Sequence, residues 1–119
     1  MGARINFVFK NNKGPHVVLY SHWGQDEWKT DIAAALDHAR PRWGDESYCT
    51  RMIISYLIQY QLLDQHGFGI YAISDISQDL GEQTIIIDMV SQTVGDDVEA
   101  AWDPFIQIYK PKVLSETAV

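Results

Sequence analysis

Cysteine is almost absent: Cys49 is the only one in the chain. No intrachain disulfide can form, so the fold must stand on its core, and the cytoplasm, a reducing compartment, is the expected location. Cys49 itself falls on the apolar stripe of a helix and reads as buried filler, not as a nucleophile. Long apolar runs are missing too. None reaches the ~18 residues of a membrane-spanning helix, and the N-terminal residues lack the apolar stretch of a secretory signal. Asn6 stands where a myristoylation signal would carry Ser or Thr, so Gly2 is not expected to be acylated. Positive charge is in short supply: nine Lys and Arg face sixteen Asp and Glu, for a net charge of −7. That field repels phosphate and excludes nonspecific binding to nucleic acid or to an anionic membrane.

Histidine is scarce and scattered over His16, His22, His38 and His66. His16 and His22 share a strand face but lie roughly 20 Å apart at strand rise. No His-x-x-x-His or Cys/His cluster exists, so neither a metal site nor a cofactor is expected. Ser21 and His22 are neighbours in a strand and point to opposite faces, and Ser21 lacks a Gly-x-Ser-x-Gly context.

What is present is one globular domain. Its hydrophobic content of 46% and charged content of 21% fit a packed core and not a disordered chain. The domain is expected over 1–110, with 111–119 as a mobile tail.

Arg4 to Lys10 alternates apolar and polar, the pattern of a half-buried strand. Asn11-Asn12-Lys13-Gly14 is a turn, and Val17 to Trp23 returns as a second strand. It is apolar on both faces and so is expected to be the more central of the two. Gly24 breaks it, and Asp26-Glu27 open a helix whose apolar face is Trp28, Ile32, Ala35, Leu36 and Ala39. Pro41 ends that helix. Asp45 caps the next, which carries apolar stripes on two sides and is expected to run to about Asp64–Gly67, with Gly67 as its C-cap. Phe68–Ile73 reads as a strand in which Gly69 marks a bulge or a close approach. Residues 74–81 form a polar loop. Gln83–Met89 is the strongest strand, Gly95-Asp96-Asp97 a turn, and Val98–Trp102 a short edge strand. Asp103-Pro104 is the expected start of a short C-terminal helix. The class is α+β, in the order ββααββ(β)α: a mainly antiparallel sheet of four to five strands, two longer helices on one face and a short C-terminal helix.

The chemistry centres on a doubled pattern. Trp23-Gly24-Gln25-Asp26-Glu27 and Trp43-Gly44-Asp45-Glu46 each place a tryptophan, a glycine and acids at a helix start. Two helix N-termini, two flat rings and the nearby His22, Arg42 and Arg51 would suit an aromatic anion such as a nucleotide. Against this, the acids occupy the same helix starts, and a Trp before a cap is an ordinary way to fix how the chain enters a helix. The candidate ligand-binding set is His22, Trp23, Gly24, Arg42, Trp43 and Arg51. Asp88, inside an Ile-rich strand, has two readings: a functional acid near His22 or Arg51, or a structural carboxylate that lies on the solvent face or pairs with an arginine.

Tyr20-Ser21-His22-Trp23-Gly24, Arg42-Trp43-Gly44-Asp45-Glu46, Thr50-Arg51-Met52-Ile53, Gly67-Phe68-Gly69-Ile70 and Ile85-Ile86-Ile87-Asp88 together resemble a family of small proteins encoded by tailed bacteriophages and prophages. The likeness spans roughly residues 4–109. Gln25 stands where the family pattern often has a second glycine. The resemblance assigns no catalytic residue. It implies a phage accessory protein, non-enzymatic, that binds a small anionic nucleotide-like ligand and sequesters a bacterial immune signal. The alternatives are an inhibitor that binds a host protein, for which −7 would suit a basic partner, and a small nucleotide hydrolase using His22 and Asp88. Homo-oligomerisation is compatible with all three.

Overall fold

A computed structural model describes residues 4–22, 27–81, 83–96 and 98–110. The expectations for Trp23, Gly24 and the tail at 111–119 lie outside the described residues. Strands β1 (Ile5–Lys10) and β2 (His16–Ser21) form the expected hairpin. Helices α1 (Trp28–His38) and α2 (Glu46–Ile58) follow, joined by a 3-10 turn at Arg40–Arg42 that carries Pro41. Then come β3 (Phe68–Ile73), β4 (Gln83–Asp88), β5 (Thr93–Gly95), β6 (Glu99–Ala101) and helix α3 (Trp102–Tyr109).

The class is α+β as expected, but the sheet has six strands, ordered β3-β2-β1-β4-β5-β6. Every neighbouring pair is antiparallel except β1 and β4, which run parallel from Ile5 opposite Gln83 to Lys10 opposite Asp88. This pair reverses the expected placement of the hairpin. With β4 on its far side, β1 is the more central strand and buries Ile5 through Phe9, whereas β2 lies one place from the edge. Even Asn6 is buried, its Oδ1 accepting from the Tyr71 hydroxyl at 3.2 Å.

Period-two alternation sorts the side chains between two faces. Ile5, Phe7, Phe9, Leu19, Ile85 and Ile87 point to the helices and meet Ile32, Leu36, Cys49, Ile53 and Trp102 in the main core. Each such fully buried side chain stabilises by about 1.5–3 kcal/mol relative to exposure. Val8, Val18 and Ile73 point the other way. They are covered by Ile76 and Leu80 from the segment expected as a polar loop, so that segment closes the second face of the sheet.

Helix α2 stops at Ile58, several residues before the expected end. The chain tightens into i→i+3 turns, Gln61 N–H to Ile58 O at 2.9 Å and Asp64 N–H to Gln61 O at 3.1 Å. Leu62 and Leu63 therefore lie beyond the helix and are exposed, with no element among the described residues to receive a longer apolar face. Gly67 (φ +101) caps no helix; its carbonyl extends the β2–β3 ladder by accepting from His22 N–H at 2.8 Å. Gly69 makes no bulge, since the ladder runs unbroken through Tyr20 opposite Gly69. Gly95 is a strand residue and not a turn. Helix α3 begins at Trp102 with Ala101 at the cap, so Asp103 lies inside the first turn.

Candidate functional site

The site is built on one flank of α2. Asp45, in extended geometry, caps the helix: its Oδ1 accepts from Tyr48 N–H and from the Ser47 hydroxyl, both at 3.3 Å. At helical spacing, Ser47, Thr50, Arg51 and Ile54 then share a flank that faces the β1–β2 turn. Between them lies a groove of about 550 Å³. Val17, Ile54 and Ile70 form its apolar wall, and Asn12, Lys13 and Arg51 rim it.

The turn is held in place. Asn11 donates its side-chain amide to Pro15 O and its backbone N–H to His16 Nδ1, both at 3.2 Å, and Gly14 supplies the positive φ of +74. Asn12 N–H donates to Glu46 Oε1 at 3.0 Å, which ties the turn to the first residue of α2 and engages the one acid in the groove. Lys13 makes no ion pair and Arg51 donates only to Ser55 Oγ, at 3.3 Å, among the described residues. Among the described residues neither cation of the groove is ion-paired.

Thr50 lines this groove and is 7% exposed. Its Oγ1 has no hydrogen-bond partner and is the only such buried side-chain atom among the described residues. A helical threonine ordinarily satisfies its hydroxyl on the preceding turn, and leaving it unsatisfied costs about 1–3 kcal/mol.

Of the six residues expected to bind ligand, the structure brings only Arg51 to this groove; Trp23 and Gly24 lie outside the described residues. Trp43 packs inward instead. Its indole Nε1 donates to Leu36 O at 2.9 Å, its ring meets Trp102 edge-on at 5.1 Å, and the Arg40 guanidinium covers it at 4.5 Å. Trp43 thus packs, partly buried, against the core. Arg40 is bound to Asp37 (3.1 Å) and Asp103 (2.9 Å). Arg42 lies over the Tyr48 ring at 4.8 Å, away from the groove. His22 follows the last residue of β2, with Nδ1 3.4 Å from the Tyr20 hydroxyl.

Asp88 is not beside His22. The register sets Ser21 opposite Ile5 and Asp88 opposite Lys10, so the two lie at opposite ends of the sheet, roughly 20 Å apart at strand rise. Asp88 Oδ1 accepts from Val90 N–H and Ser91 N–H, each at 3.0 Å, and Oδ2 pairs with Lys10 at 3.5 Å. Its burial alone would raise its pKa. The Ser91 and Val90 N–H groups, the Ser91 hydroxyl and Lys10 outweigh that and hold it below the ordinary carboxylate value. The carboxylate organises the turn from β4 to β5.

Burial pushes the Cys49 thiol up to about 11, with the charge of Asp45 adding to it, so it is not a thiolate at neutral pH. No group of three His, Cys, Asp or Glu able to hold a metal occurs among the described residues.

Two features of the groove escaped the sequence reading. Lys13 looked only like a turn residue. Thr50 carried a visible signal, a hydroxyl on the apolar flank between Cys49 and Ile54, but only packing shows that nothing satisfies it.

No protein family, curated protein or solved structure matches the chain.

Proposed function

We propose that the protein binds a small anionic, nucleotide-like ligand in the groove between α2 and the β1–β2 turn, without transforming it. The observation that carries this reading is an apolar groove rimmed by two cations, Lys13 and Arg51, that are not ion-paired among the described residues. A flat base would lie along Val17, Ile54 and Ile70. The Asn12 side-chain amide would meet its polar edge, and Lys13 and Arg51 its phosphate. Glu46 keeps its negative charge in the same lining, and its Oε1 is held by Asn12 N–H at the turn; the two cations outnumber it. The separation of His22 from Asp88 removes the motive for reading the pair as a hydrolase. If the resemblance to phage proteins holds, sequestration of a nucleotide signal used in bacterial immunity is the role such a groove would serve.

Calorimetric titration against linear and cyclic nucleotides, with mass spectrometry of the released ligand, tests this. Arg51→Ala is expected to weaken binding at least about tenfold, the worth of a charge-assisted hydrogen bond. Lys13→Ala should weaken it about fivefold, and Thr50→Val should leave the fold at least as stable, since it removes a buried polar atom that nothing satisfies among the described residues. Folded Arg51→Ala and Lys13→Ala variants that bind every ligand as the native protein does would sink the assignment. Release of a cleaved product would transfer it to hydrolysis.

A second reading rests on a different observation. β3 is an edge strand of six residues with no charge and no proline. Ile70 and Tyr71 on it, and Leu62 beside it, are exposed. Edges of this kind are usually blunted by Lys, Pro, bulges or shortness; this one is open to pairing with a second copy of the chain.

A further inference from the structure

A second cavity, of about 300 Å³, lies at the other end of α2, where that helix, the first turn of α1 and the start of β3 meet. We propose that it binds the ammonium group of a small organic cation, held by the Asp31 carboxylate against the rings of Tyr56, Tyr60 and Phe68. The site is separate from the anion groove, sharing no lining residue with it.

Three observations converge. The first is sign. Among the described residues no Lys, Arg or His lines the cavity, and the one charged side chain in its lining is Asp31. An anion would meet uncompensated negative charge there, whereas a cation would also be drawn by the net charge of −7.

The second is the state of that carboxylate. Asp31 makes no hydrogen bond and no ion pair among the described residues. An acid in the first turn of a helix is ordinarily favoured as the anion by the helix dipole. Here partial burial, with the charge of Glu27 added, raises the pKa of Asp31 instead. Asp31 is open to solvent on its outer side, so a ligand can reach it.

The third is the aromatic wall. Tyr56, Tyr60, Phe68 and Phe7 surround the space. Phe7 is buried and forms part of the floor, and Tyr56 is braced from behind by His38 at 5.4 Å between ring centroids. Tyr60 is 85% exposed, a ring at the mouth with no packing role in the described fold. Ring faces attract a cation through their quadrupole, and a carboxylate beside them adds the full charge. Gln59 and Gln61, also in the lining, supply amides for polar groups attached to the ammonium.

The experiment is a titration of the 15N-labelled protein with choline, with tetramethylammonium, and with 3,3-dimethylbutanol, the neutral isostere of choline, followed by amide chemical shifts. Both cations are expected to shift Asp31, Tyr60 and Phe68 saturably, and the neutral isostere to bind about tenfold more weakly or not at all. Asp31→Asn should weaken choline about tenfold. Tyr60→Ala should weaken it about two- to fivefold, the range of an exposed cation–π contact. Asp31 and Tyr60 have no packing duties, so both variants are expected to give the native spectrum elsewhere. Equal binding of choline and its neutral isostere would overturn the proposal, leaving an apolar cavity without charge selectivity. So would the absence of saturable shifts with either cation, or native affinity in Asp31→Asn. Loss of nucleotide binding in Arg51→Ala bears only on the groove, so the two sites stand or fall separately.

Discussion

Asp88 is a residue whose surroundings decide between two roles that its sequence position leaves open. A carboxylate at the end of an Ile-rich strand is costly to bury unless something satisfies it. Two backbone N–H groups and Lys10 do so, and the turn from β4 to β5 is the product. The consequence is a pH-dependent term in stability. The folded pKa lies below the ordinary value, so the stabilisation is fully present above the unfolded pKa of about 3.9 and is lost as pH falls through the folded value. Asp88→Asn is expected to lower stability by about 1–2 kcal/mol at neutral pH, the scale of hydrogen bonds to a charged group. The gap between native and variant should narrow below about pH 4, as the native carboxylate takes up its proton. Urea unfolding at pH 7 and pH 3 checks both parts. A gap that stays constant between the two pH values would show that the carboxylate charge is not what holds the turn. Ligand binding should be unaffected, because Asp88 is not among the residues that line the groove.

Among the elements, the short strands at the far edge depend on close backbone approach. A Cβ built on Gly95 would lie 2.0 Å from Val98 O, with backbone on all sides and no flexible side chain to yield. Gly95→Ala is therefore expected to destabilise by about 1–3 kcal/mol, the cost of overpacking a site that cannot relax. Gly69 is the control. Its φ lies outside the left-handed region, and a Cβ there meets nothing within 4 Å. Gly69→Ala should be neutral or stabilising by about 0.4–1 kcal/mol, through loss of unfolded-state freedom. Thermal unfolding of the two variants should move the midpoint in opposite directions; equal shifts would contradict the packing described for the β5–β6 bend.

The same two glycines show what a local pattern carries and what it does not. Gly69 looked like a bulge and Gly95 like a turn, yet Gly69 sits in an unbroken ladder and Gly95 in a strand. Elements set by their own periodicity were legible: the β1–β2 hairpin, the buried face of α1, the capped start of α2. Features set by distant partners were not. The parallel pairing of β1 with β4 joins residues nearly eighty positions apart, and nothing in Ile5–Lys10 announces it. The end of α2 was missed for a related reason: Leu62 and Leu63 continue the apolar count, but no neighbouring element among the described residues covers them. For the site, Arg51 was named from the sequence and lines the groove, beside Lys13 and Thr50, which were not named; Trp43 turned inward because Trp102, from a helix far along the chain, offers it a partner.

At the scale of the whole molecule, the two edges of the sheet are unequal. β6 is three residues long and carries Glu99, a strand too short and too charged to recruit another. β3 is twice as long and uncharged. Its pairing with β2 also fixes which groups it offers. His22 N–H donates to Gly67 O, so Gly67 belongs to a hydrogen-bonded pair, and alternation makes Gly69, Tyr71 and Ile73 bond inward to β2. The backbone groups of Ile70 and Ala72 then point outward. Two copies can exchange hydrogen bonds only between outward-facing residues, so an antiparallel dimer of the sheet can be centred with Ile70 opposite its own copy and Ala72 opposite Phe68. That arrangement is two-fold symmetric, as a closed dimer requires. It brings together the two Ile70 side chains, each 60% exposed, and joins the apolar surface of Leu62 to its counterpart. Because Ile70 is also a wall of the anion groove, the two grooves would share a boundary at the axis. Light scattering coupled to size-exclusion chromatography is expected to give a mass of two chains for the native protein and of one for Ile70→Lys, which sets two like charges face to face across the axis. Ala72→Pro is the second variant, removing one outward N–H without adding charge, and it should weaken the dimer on the same terms. A native protein that elutes as a single chain across the concentration range would end the second reading and leave the groove to act alone.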